Sequence, residues 1–231
     1  MRDNKQKVSI LLSAYNAERT IELSINSILS QTYKNFELLI MDDHSSDNTF
    51  KICEKMRAID SRITLFKNSI NLGLTKSLNI LALNSNGAYI ARQDADDISL
   101  DERIEKQLSF LKKNKFDAVY ARTFLKDTKK ISPKLTHYLP KKIVIKYKNP
   151  YIHGTLLIKR TAMEAINYYD EDFYYAQDLK LVLDLQKTNF KIGIMNDPLY
   201  ILNTENNISS NNKNKQEYYA NCARKNINPN G

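Results

Sequence analysis

The chain has 231 residues, a net charge of +9 and an ordinary apolar content of 42%. This length suits one globular domain with a sizeable core, and this composition excludes a chain that is disordered over most of its length. No apolar run is long enough to cross a bilayer, and the first seven residues lack the apolar core of a signal peptide. Cys53 and Cys222 give neither a disulfide framework nor a metal-ligand spacing. We therefore expect a cytoplasmic protein.

The first half of the chain alternates apolar runs of strand length with segments of helical periodicity. Strands are predicted at residues 8–12, 36–41, 63–66 and 89–91, and helices at 18–30, 48–59, 74–84 and about 100–114. The last of these helices is predicted to begin with a capping box, Ser99-Leu100-Asp101-Glu102. Strands that alternate with helices indicate parallel pairing and a layered α/β domain.

The second half has a less regular pattern. Strands are predicted at residues 117–121, 155–158, 192–195 and 199–202, and a helix at 178–188. The chain after Asn203 is rich in Asn, Ser and Lys, which is typical of a mobile tail, and we expect one at residues 205–231.

Clusters of polar residues follow the first, second and fourth predicted strands. They are Ser13-Ala14-Tyr15-Asn16, Asp42-Asp43-His44-Ser45-Ser46 and Asp94-Ala95-Asp96-Asp97. Ligands bind beyond the carboxyl ends of the strands in open α/β sheets, so we expect the three clusters to converge on one site.

The third cluster places three carboxylates within four residues. Carboxylates this close repel one another unless a positive charge lies among them, and hard divalent cations take carboxylate oxygens as ligands. A metal that also holds a phosphate suits this pattern. A solvated acidic turn that caps the next helix is the alternative at this point.

The order and spacing of these segments resemble the family-two glycosyltransferases, which have the GT-A fold. The resemblance covers about residues 7–205, with matching blocks at 7–16, 27–33, 36–40, 42–45, 71–74, 77–79, 94–96 and 176–178. It implies a Rossmann-like, mostly parallel central sheet flanked by helices. It also implies a nucleotide-sugar-binding half at 1–115 and a smaller acceptor-binding half at 116–231, within one continuous domain.

The reaction implied by the resemblance is an inverting transfer of a sugar from a nucleotide donor to a hydroxyl of a growing bacterial surface glycan. The donor would be a UDP-sugar, and the acceptor a capsule, lipooligosaccharide or glycoprotein glycan that is free or lipid-linked. The implied cofactor is a divalent metal, Mn²⁺ or Mg²⁺, bound by Asp96. The implied general base is Asp178, whose position at a helix start should keep it ionised. A simple helix cap is the other interpretation of Asp178.

The resemblance also assigns binding roles. Nucleotide-binding residues are implied at Ser13, Ala14, Tyr15, Asn16, Asp43, Lys76, Arg92, Asp94 and Ala95. Tyr15 would lie against the base, whereas Asp42 would only brace its loop. Acceptor or diphosphate contacts are implied at His153, Gly154, Tyr175 and Gln177. The chain departs from the family's pattern at Gln177, where Glu is common, and at Asn203, where Arg is common. Structural roles are the alternatives for Tyr15, Arg92 and His153.

The positive charge is concentrated between residues 112 and 148. This basic segment has twelve Lys or Arg and two Asp, a net charge of +10. A localised basic region suggests an anionic partner, and a solvated face without a partner is the alternative. We expect the segment to lie on an anionic membrane or near a lipid-phosphate acceptor, which would make the protein peripheral on the inner face of the cytoplasmic membrane.

Two other functions stay open at this point. A nucleotidyltransferase that acts on sugar phosphates would share the fold and the metal, but usually carries a Gly-rich basic loop after the first strand, which this chain lacks. A non-enzymatic nucleic-acid-binding protein would use the basic segment, but it leaves the strand-end clusters without a purpose, so we expect no nucleic-acid partner. A dinucleotide-dependent oxidoreductase would need glycines where this chain has Ser13-Ala14-Tyr15-Asn16.

Overall fold

A computed structural model describes residues 6–204 and 212–230 of the chain. Its strands are Val8–Ala14 (β1), Phe36–Asp42 (β2), Ile63–Lys67 (β3), Tyr89–Asp94 (β4), Ile98–Ser99 (β5), Ala118–Leu125 (β6), Ile131–Ser132 (β7), Leu157–Lys159 (β8) and Ile192–Leu202 (β9). Its helices are Ile21–Leu29 (α1), Thr49–Ile59 (α2), Leu74–Leu83 (α3), Arg103–Lys113 (α4), Lys141–Val144 (α5), Arg160–Ala165 (α6), Gln177–Lys187 (α7) and Lys213–Lys225 (α8).

The strands form one sheet in the order β3-β2-β1-β4-β8-β6-β9-β5, and β7 pairs with β6 at its side. The first four strands in this order are parallel to one another, and β9 is parallel to β6. β8 is antiparallel to both β4 and β6 and joins the two parallel parts. The prediction of a mostly parallel α/β sheet flanked by helices is therefore confirmed.

The core has two layers, one on each face of the sheet. Side chains alternate between the faces along a strand, so β1 sends Ile10 and Leu12 to one face and Leu11 to the other. Ile25 of α1 packs in the first layer and Leu78 of α3 in the second. A strand covered by helices on both faces reads as a continuous apolar run, which explains the sequence of β1.

The predicted capping box at Ser99 is wrong. Ser99 lies in β5, where it pairs with Tyr200 of β9, and its hydroxyl donates to Gln93 Oε1 at 2.7 Å. Helix α4 begins only at Arg103, and its N-cap residue, Glu102, makes no side-chain capping bond. Pairing with a strand distant in sequence has displaced the helix start by one turn.

The second half also differs from the predicted pattern. The two strands predicted at 192–195 and 199–202 are one strand, β9, whose pairing with β6 shifts register on both sides of Arg122. The shift accommodates Pro198, which cannot donate a ladder hydrogen bond. Helices α5 and α6 have no predicted counterpart.

The tail expected to be mobile contains α8, in which Cys222 and Ala223 are buried, whereas residues 205–211 lie outside the described part of the chain. The division into halves at residue 115 stays a prediction. Among the helices of residues 6–204 and 212–230, none has both the length and the apolar composition of a membrane span.

Candidate active site

Neighbouring strands bring the three polar clusters to one edge of the sheet. Ser13 is in register with Asp94 across β1 and β4, and Ala14 is in register with Asp42 across β1 and β2. The side chain of Ala14 is buried, and its carbonyl accepts from the Asp43 amide at 2.8 Å. The clusters therefore line a common cleft at the carboxyl ends of β1, β2 and β4.

Asn16 ties the loop after β1 to the loop after β2. Its backbone has a positive φ of 49°, which Asn tolerates better than most residues. Its side-chain oxygen accepts from the Ser46 amide at 2.9 Å, and its own amide donates to Ser45 Oγ at 3.0 Å. This clamp leaves the preceding residue, Tyr15, 54% exposed at the rim of the cleft, where its ring can receive a flat ligand.

Asp43 is buried and holds the loop that leads into α3. Its carboxylate accepts from Asn68 Nδ2 at 2.7 Å and from the amides of Leu72 and Gly73, each at 2.8 Å. An ionised carboxylate has about four acceptor positions, so one is left for a ligand. Within residues 6–204 and 212–230, the Asp42 carboxylate accepts only from the Ser45 amide, at 3.3 Å, so Asp43 does more of the bracing that was expected of Asp42.

Tyr174 lies over this loop and was not among the predicted nucleotide-binding residues. Gly73 has a φ of 83°, and a Cβ there would come within 2.6 Å of the Tyr174 ring. Burial raises the pKa of Tyr174, and Asp43 and Tyr15 contribute because both lie nearby. The Tyr174 ring therefore lies near Asp43 and Tyr15, and Gly73 gives this ring room over the loop.

The acidic cluster at the end of β4 concentrates negative charge. Burial, with the negative charge of Asp94, raises the pKa of Asp96, while burial and the charges of Asp94 and Asp96 raise the pKa of Asp97 to about 8. Asp97 accepts from the Asn203 amide at 2.6 Å and so fixes the end of β4 to the end of β9. The Asn203 side chain lies 3.5 Å from Asp96 Oδ2. Asn203 is the position at which the sequence departs from the Arg that is common in the family it resembles.

The oxygen donors of Asp94 and Asp96 fit a hard divalent cation. The raised pKa values of Asp96 and Asp97 indicate crowded negative charge that a cation would neutralise. Among the described residues, no three His, Cys, Asp or Glu side chains are grouped to hold an ion by themselves. Mg²⁺ is commonly bound by one or two carboxylates together with substrate phosphates, so this donor set suits an ion that shares its ligands with a diphosphate.

Arg92 lies near the end of β4, two residues before Asp94, and is only 2% exposed. One terminal nitrogen donates to Asp94 Oδ1, while Nε and the other terminal nitrogen have no hydrogen-bond partner within the described part of the chain. Buried N–H groups without acceptors are costly, and a guanidinium fits phosphate oxygens with paired donors. Its charge also acts on Asp178 and His153, so both groups lie near Arg92.

Asp178 lies in the first turn of α7. The preceding N-cap residue, Ala176, has left-handed backbone angles of φ 54° and ψ 22°, which cost about 1–2 kcal/mol for a residue with a Cβ. The Asp178 carboxylate accepts from Asn149 Nδ2 at 2.7 Å. Burial raises the pKa of Asp178, and the bonds from Leu179 and Asn149 only oppose this rise. Burial therefore works against the ionisation that the helix start favours, and the role of Asp178 as a base stays a prediction.

The other predicted contact residues divide into two groups. His153 Nε2 lies 2.8 Å from the Tyr169 hydroxyl, and burial together with Arg92 lowers the pKa of His153 well below its usual value, so the ring is neutral. A Cβ on Gly154 would come within 2.6 Å of Asp94 Oδ2, so the cleft needs glycine there. Ala95, which follows Asp94, is half-buried and packs on the core.

The remaining predicted residues lie further from these groups. Gln177 is the first residue of α7, and Lys76 is exposed on the first turn of α3. The hydroxyl of Tyr175 lies 3.3 Å from the Asn212 side-chain oxygen, and its ring packs on Tyr219 of α8. Tyr175 therefore supports α8.

Sequence reasoning missed a buried network beneath the acidic cluster. Arg103 of α4 is fully buried and donates to Gln93 Oε1 at 3.0 Å, Ser99 Oγ at 2.7 Å, Gln107 Oε1 at 3.0 Å and the Arg92 carbonyl at 2.6 Å. It thereby fixes the end of β4. The sequence contained a signal for this buried network, because Arg103 and Gln107 are in helical register with the apolar stripe of α4.

The model of the family described as "Glycosyl transferase family 2" matches residues 9–169, and the chain belongs to this family. It is 37% identical over 186 residues to "UDP-Glc:alpha-D-GlcNAc-diphosphoundecaprenol beta-1,3-glucosyltransferase WfgD" of Escherichia coli, a match that covers 79% of this chain and 70% of WfgD. It is also 37% identical over 166 residues to EpsE of Bacillus subtilis (strain 168), covering 71% of this chain but only 60% of EpsE.

Solved structures of glycosyltransferases share the fold. The S. aureus TarS 1-349 complex with UDP-GlcNAc superposes with a TM-score of 0.76 at 19% identity, covering 90% of this chain and 61% of TarS. The mannosyltransferase PcManGT of Pyrobaculum calidifontis, in complex with GDP-Man and Mn²⁺, gives a TM-score of 0.74 at 17% identity, covering 92% of this chain and 61% of PcManGT. The chain thus has the GT-A fold that the resemblance implied, and spans under two thirds of these structures.

Proposed function

We propose that this protein is an inverting glycosyltransferase that moves a sugar from a nucleoside diphosphate donor to a hydroxyl of a lipid-linked bacterial glycan. The observation that carries the proposal is the buried Arg92 at the end of β4, which bonds to Asp94, acts on the charges of Asp96 and Asp178, and keeps two nitrogens without an acceptor among the described residues. Family membership and the shared fold favour this function over a nucleotidyltransferase or a nucleic-acid-binding protein.

The donor nucleotide is proposed to be UDP. The rim of the cleft has two exposed aromatic rings, Tyr15 and Tyr174, and one free acceptor position on Asp43. Aromatic faces suit a flat base, and a carboxylate suits its ring N–H. TarS binds UDP-GlcNAc, and the name of WfgD includes UDP-Glc. Both support uracil over the other bases.

The diphosphate is proposed to lie between Arg92 and Asp96. Nε and the terminal nitrogen of Arg92 that have no acceptor among the described residues can each donate to a phosphate oxygen. Asp96, with Asp94 beside it, would hold Mn²⁺ or Mg²⁺, in keeping with the Mn²⁺ bound to PcManGT. When bound, such an ion stabilises charge on the leaving diphosphate as a Lewis acid. Lys76, on the surface of α3, is a further proposed diphosphate contact.

Asp178 is proposed to take the proton from the acceptor hydroxyl. Its raised pKa brings the carboxyl nearer to working pH, which improves a general base as long as the group is still mostly ionised. The hydroxyl oxygen then forms its bond to the anomeric carbon while the bond to the diphosphate breaks on the opposite side. This single displacement inverts the anomeric centre, so an α-linked donor gives a β-linked product.

The acceptor is proposed to be a glycan carried on a lipid diphosphate. WfgD is named for such an acceptor, a GlcNAc-diphosphoundecaprenol. His153 is neutral and pairs with Tyr169, so this edge of the cleft offers polar groups without an added charge. Gly154, which lies beside Asp94, and Gln177, which precedes Asp178 in the chain, are proposed to contact the acceptor or diphosphate. Tyr175 precedes α7 and packs on α8. It is therefore proposed to affect the acceptor site only indirectly, by holding α7 in position.

Calorimetric binding of UDP, GDP, dTDP and CDP, each with and without Mn²⁺, tests this proposal. UDP is expected to bind in the presence of Mn²⁺, and Asp96→Ala should weaken that binding at least about tenfold because the ion loses its protein ligand. The matched control is Asp197→Ala, an exposed carboxylate on β9. Absence of nucleotide binding under every condition would overturn the proposal, and equal binding with and without Mn²⁺ would remove the metal from it.

A further inference from the structure

The basic segment exposes apolar side chains together with its charge. Five large apolar residues within a stretch of thirteen are 51–81% exposed: Leu135, Tyr138, Leu139, Ile143 and Tyr147. Seven lysines of the same region are exposed: Lys126, Lys129, Lys130, Lys134, Lys142, Lys146 and Lys148. None of the ion pairs among the described residues includes any of these lysines. We call residues 126–148 the lysine-apolar surface.

The backbone that carries these side chains, the frame of the surface, is held in place by hydrogen bonds and by buried side chains. Helical bonding continues beyond α5, since the Lys148 amide donates to the Val144 carbonyl at 2.9 Å. Val144 and Ile145 face inward and are 6% and 4% exposed. Ile143 and Tyr147, four residues apart on this turn, share its outer face.

Helix α8 supports the same frame. Arg224 of α8 donates to the carbonyls of Ile145 and Tyr147 at 3.1 and 3.2 Å. The beginning of the turn is held by Lys141, whose ammonium donates to the carbonyls of Thr136, His137 and Leu139. The outward position of the apolar side chains is therefore built into the packing.

The geometry points to an anionic lipid bilayer as the partner of the lysine-apolar surface. Lysines attract anionic headgroups, and aliphatic and tyrosine side chains gain free energy at the boundary of headgroups and acyl chains. A nucleic acid would satisfy the lysines and could stack on Tyr138 and Tyr147. It would leave the aliphatic side chains of Leu135, Leu139 and Ile143 in water, because these have no ring to stack on a base.

The lysine-apolar surface lies next to the proposed general base. Asn149 follows Lys148 directly, and its side chain donates to Asp178 Oδ2 at 2.7 Å. Asn149 lies two positions after Tyr147 in the chain, a distance of at most about 7 Å. A bilayer in contact with Tyr147 would bring Asp178 close to the headgroup plane, where the first sugar of a lipid-diphosphate glycan lies. This inference rests on the proposed function for its purpose, although the docking can be tested without it.

Vesicle sedimentation of the full chain tests the electrostatic part. The protein is expected to bind vesicles of phosphatidylcholine mixed with phosphatidylglycerol, and to bind phosphatidylcholine alone far more weakly. Each lysine near an anionic surface contributes about fivefold, so Lys134→Gln/Lys142→Gln/Lys146→Gln should weaken binding about a hundredfold. The charge-matched control, Lys51→Gln/Lys55→Gln/Arg57→Gln, changes exposed residues of α2 and should bind as the native chain does.

Tryptophan fluorescence tests the apolar part, since the native chain has no Trp. Tyr147→Trp should shift its emission to shorter wavelength with anionic vesicles, because the ring leaves water. Ile59→Trp, at a position that is 77% exposed on α2, should not shift. No shift for Tyr147→Trp, or equal binding by the two triple variants, would overturn the proposal.

Two further readouts separate the explanations. The native chain could bind a single-stranded oligonucleotide but no vesicles, and the Lys134/Lys142/Lys146 variant could lose that oligonucleotide binding. This result would make a nucleic acid, and not a bilayer, the partner of the lysine-apolar surface. UDP binding should be unchanged in that variant. Native protein that binds UDP but no vesicles would overturn the docking alone, whereas vesicle binding without UDP binding would overturn the proposed function alone.

Discussion

The Asp178→Asn variant is expected to lose sugar transfer by about 10²–10⁴-fold, the usual contribution of a positioned general base. Asn keeps the size of the side chain but cannot take a proton from the acceptor hydroxyl. UDP binding should be retained, because the groups proposed to hold the nucleotide, Tyr15, Asp43 and Arg92, are unchanged. The measurement is kcat for transfer alongside calorimetric binding of UDP with Mn²⁺.

The matched control for this variant is Asp184→Asn, further along the same helix. Asp184 pairs with Lys180 and Lys187, and partly exposed pairs of this kind contribute little to stability. Its kcat should stay near the native value. Native kcat in Asp178→Asn would place the general base elsewhere in the cleft and would make Asp178 a simple helix cap.

The pH profile gives a second readout of the same carboxyl. A base must be ionised, so kcat should fall as the pH is lowered through the pKa of Asp178, which burial raises. The hydrogen bond from Asn149 lowers this pKa, so Asn149→Ala should move the acidic limb of the profile to higher pH. An unchanged limb in Asn149→Ala would show that Asn149 only packs against the helix.

The largest expected effect on stability is that of Arg103→Met. Methionine fills much of the volume but removes the charged donor that the oxygens of Gln93, Ser99 and Gln107 share, and Gln93 keeps only the bond from Ser99 among those given above. Buried polar groups that lose a charged partner cost several kcal/mol, so we expect the free energy of unfolding to fall by about 3–5 kcal/mol. Urea denaturation at neutral pH measures this loss.

The control for Arg103→Met is Arg57→Met, on the exposed side of α2. Surface substitutions of this kind change stability by about 0.5 kcal/mol or less. A loss below about 1 kcal/mol in Arg103→Met would mean that the buried network reorganises around the new side chain, and that β4 does not depend on it.

Local patterns in the sequence were sufficient to predict the first four strands and the first four helices, but not β5 or the residue at which α4 begins. The apolar runs of β1 and β2 are continuous because helices cover both faces of the sheet, and this burial is visible in the sequence itself. The polar clusters after these strands were predicted to converge, and the register of Ser13 with Asp94 brings them together. The order of the matching blocks then indicated the family, to which the chain belongs.

The parts that could not be predicted depend on partners far along the chain. Ser99 has the sequence of a helix cap, yet pairing with Tyr200 puts it in a strand. Asn149 reaches Asp178 across 29 residues, and no local pattern indicates that contact. The raised pKa of Asp178 likewise comes from burial by the whole fold, which opposes the favourable helix start. Local periodicity carries no information on such contacts.

The anomeric configuration of the product tests the central claim most directly. The protein would be incubated with an α-linked UDP-sugar, Mn²⁺ and a GlcNAc-diphosphate-lipid acceptor, and the new linkage would be read by proton NMR. Our account predicts a β-linkage, because one displacement assisted by Asp178 inverts the anomeric carbon. An α-linkage would require two displacements or attack from the same face, and would contradict the role given to Asp178.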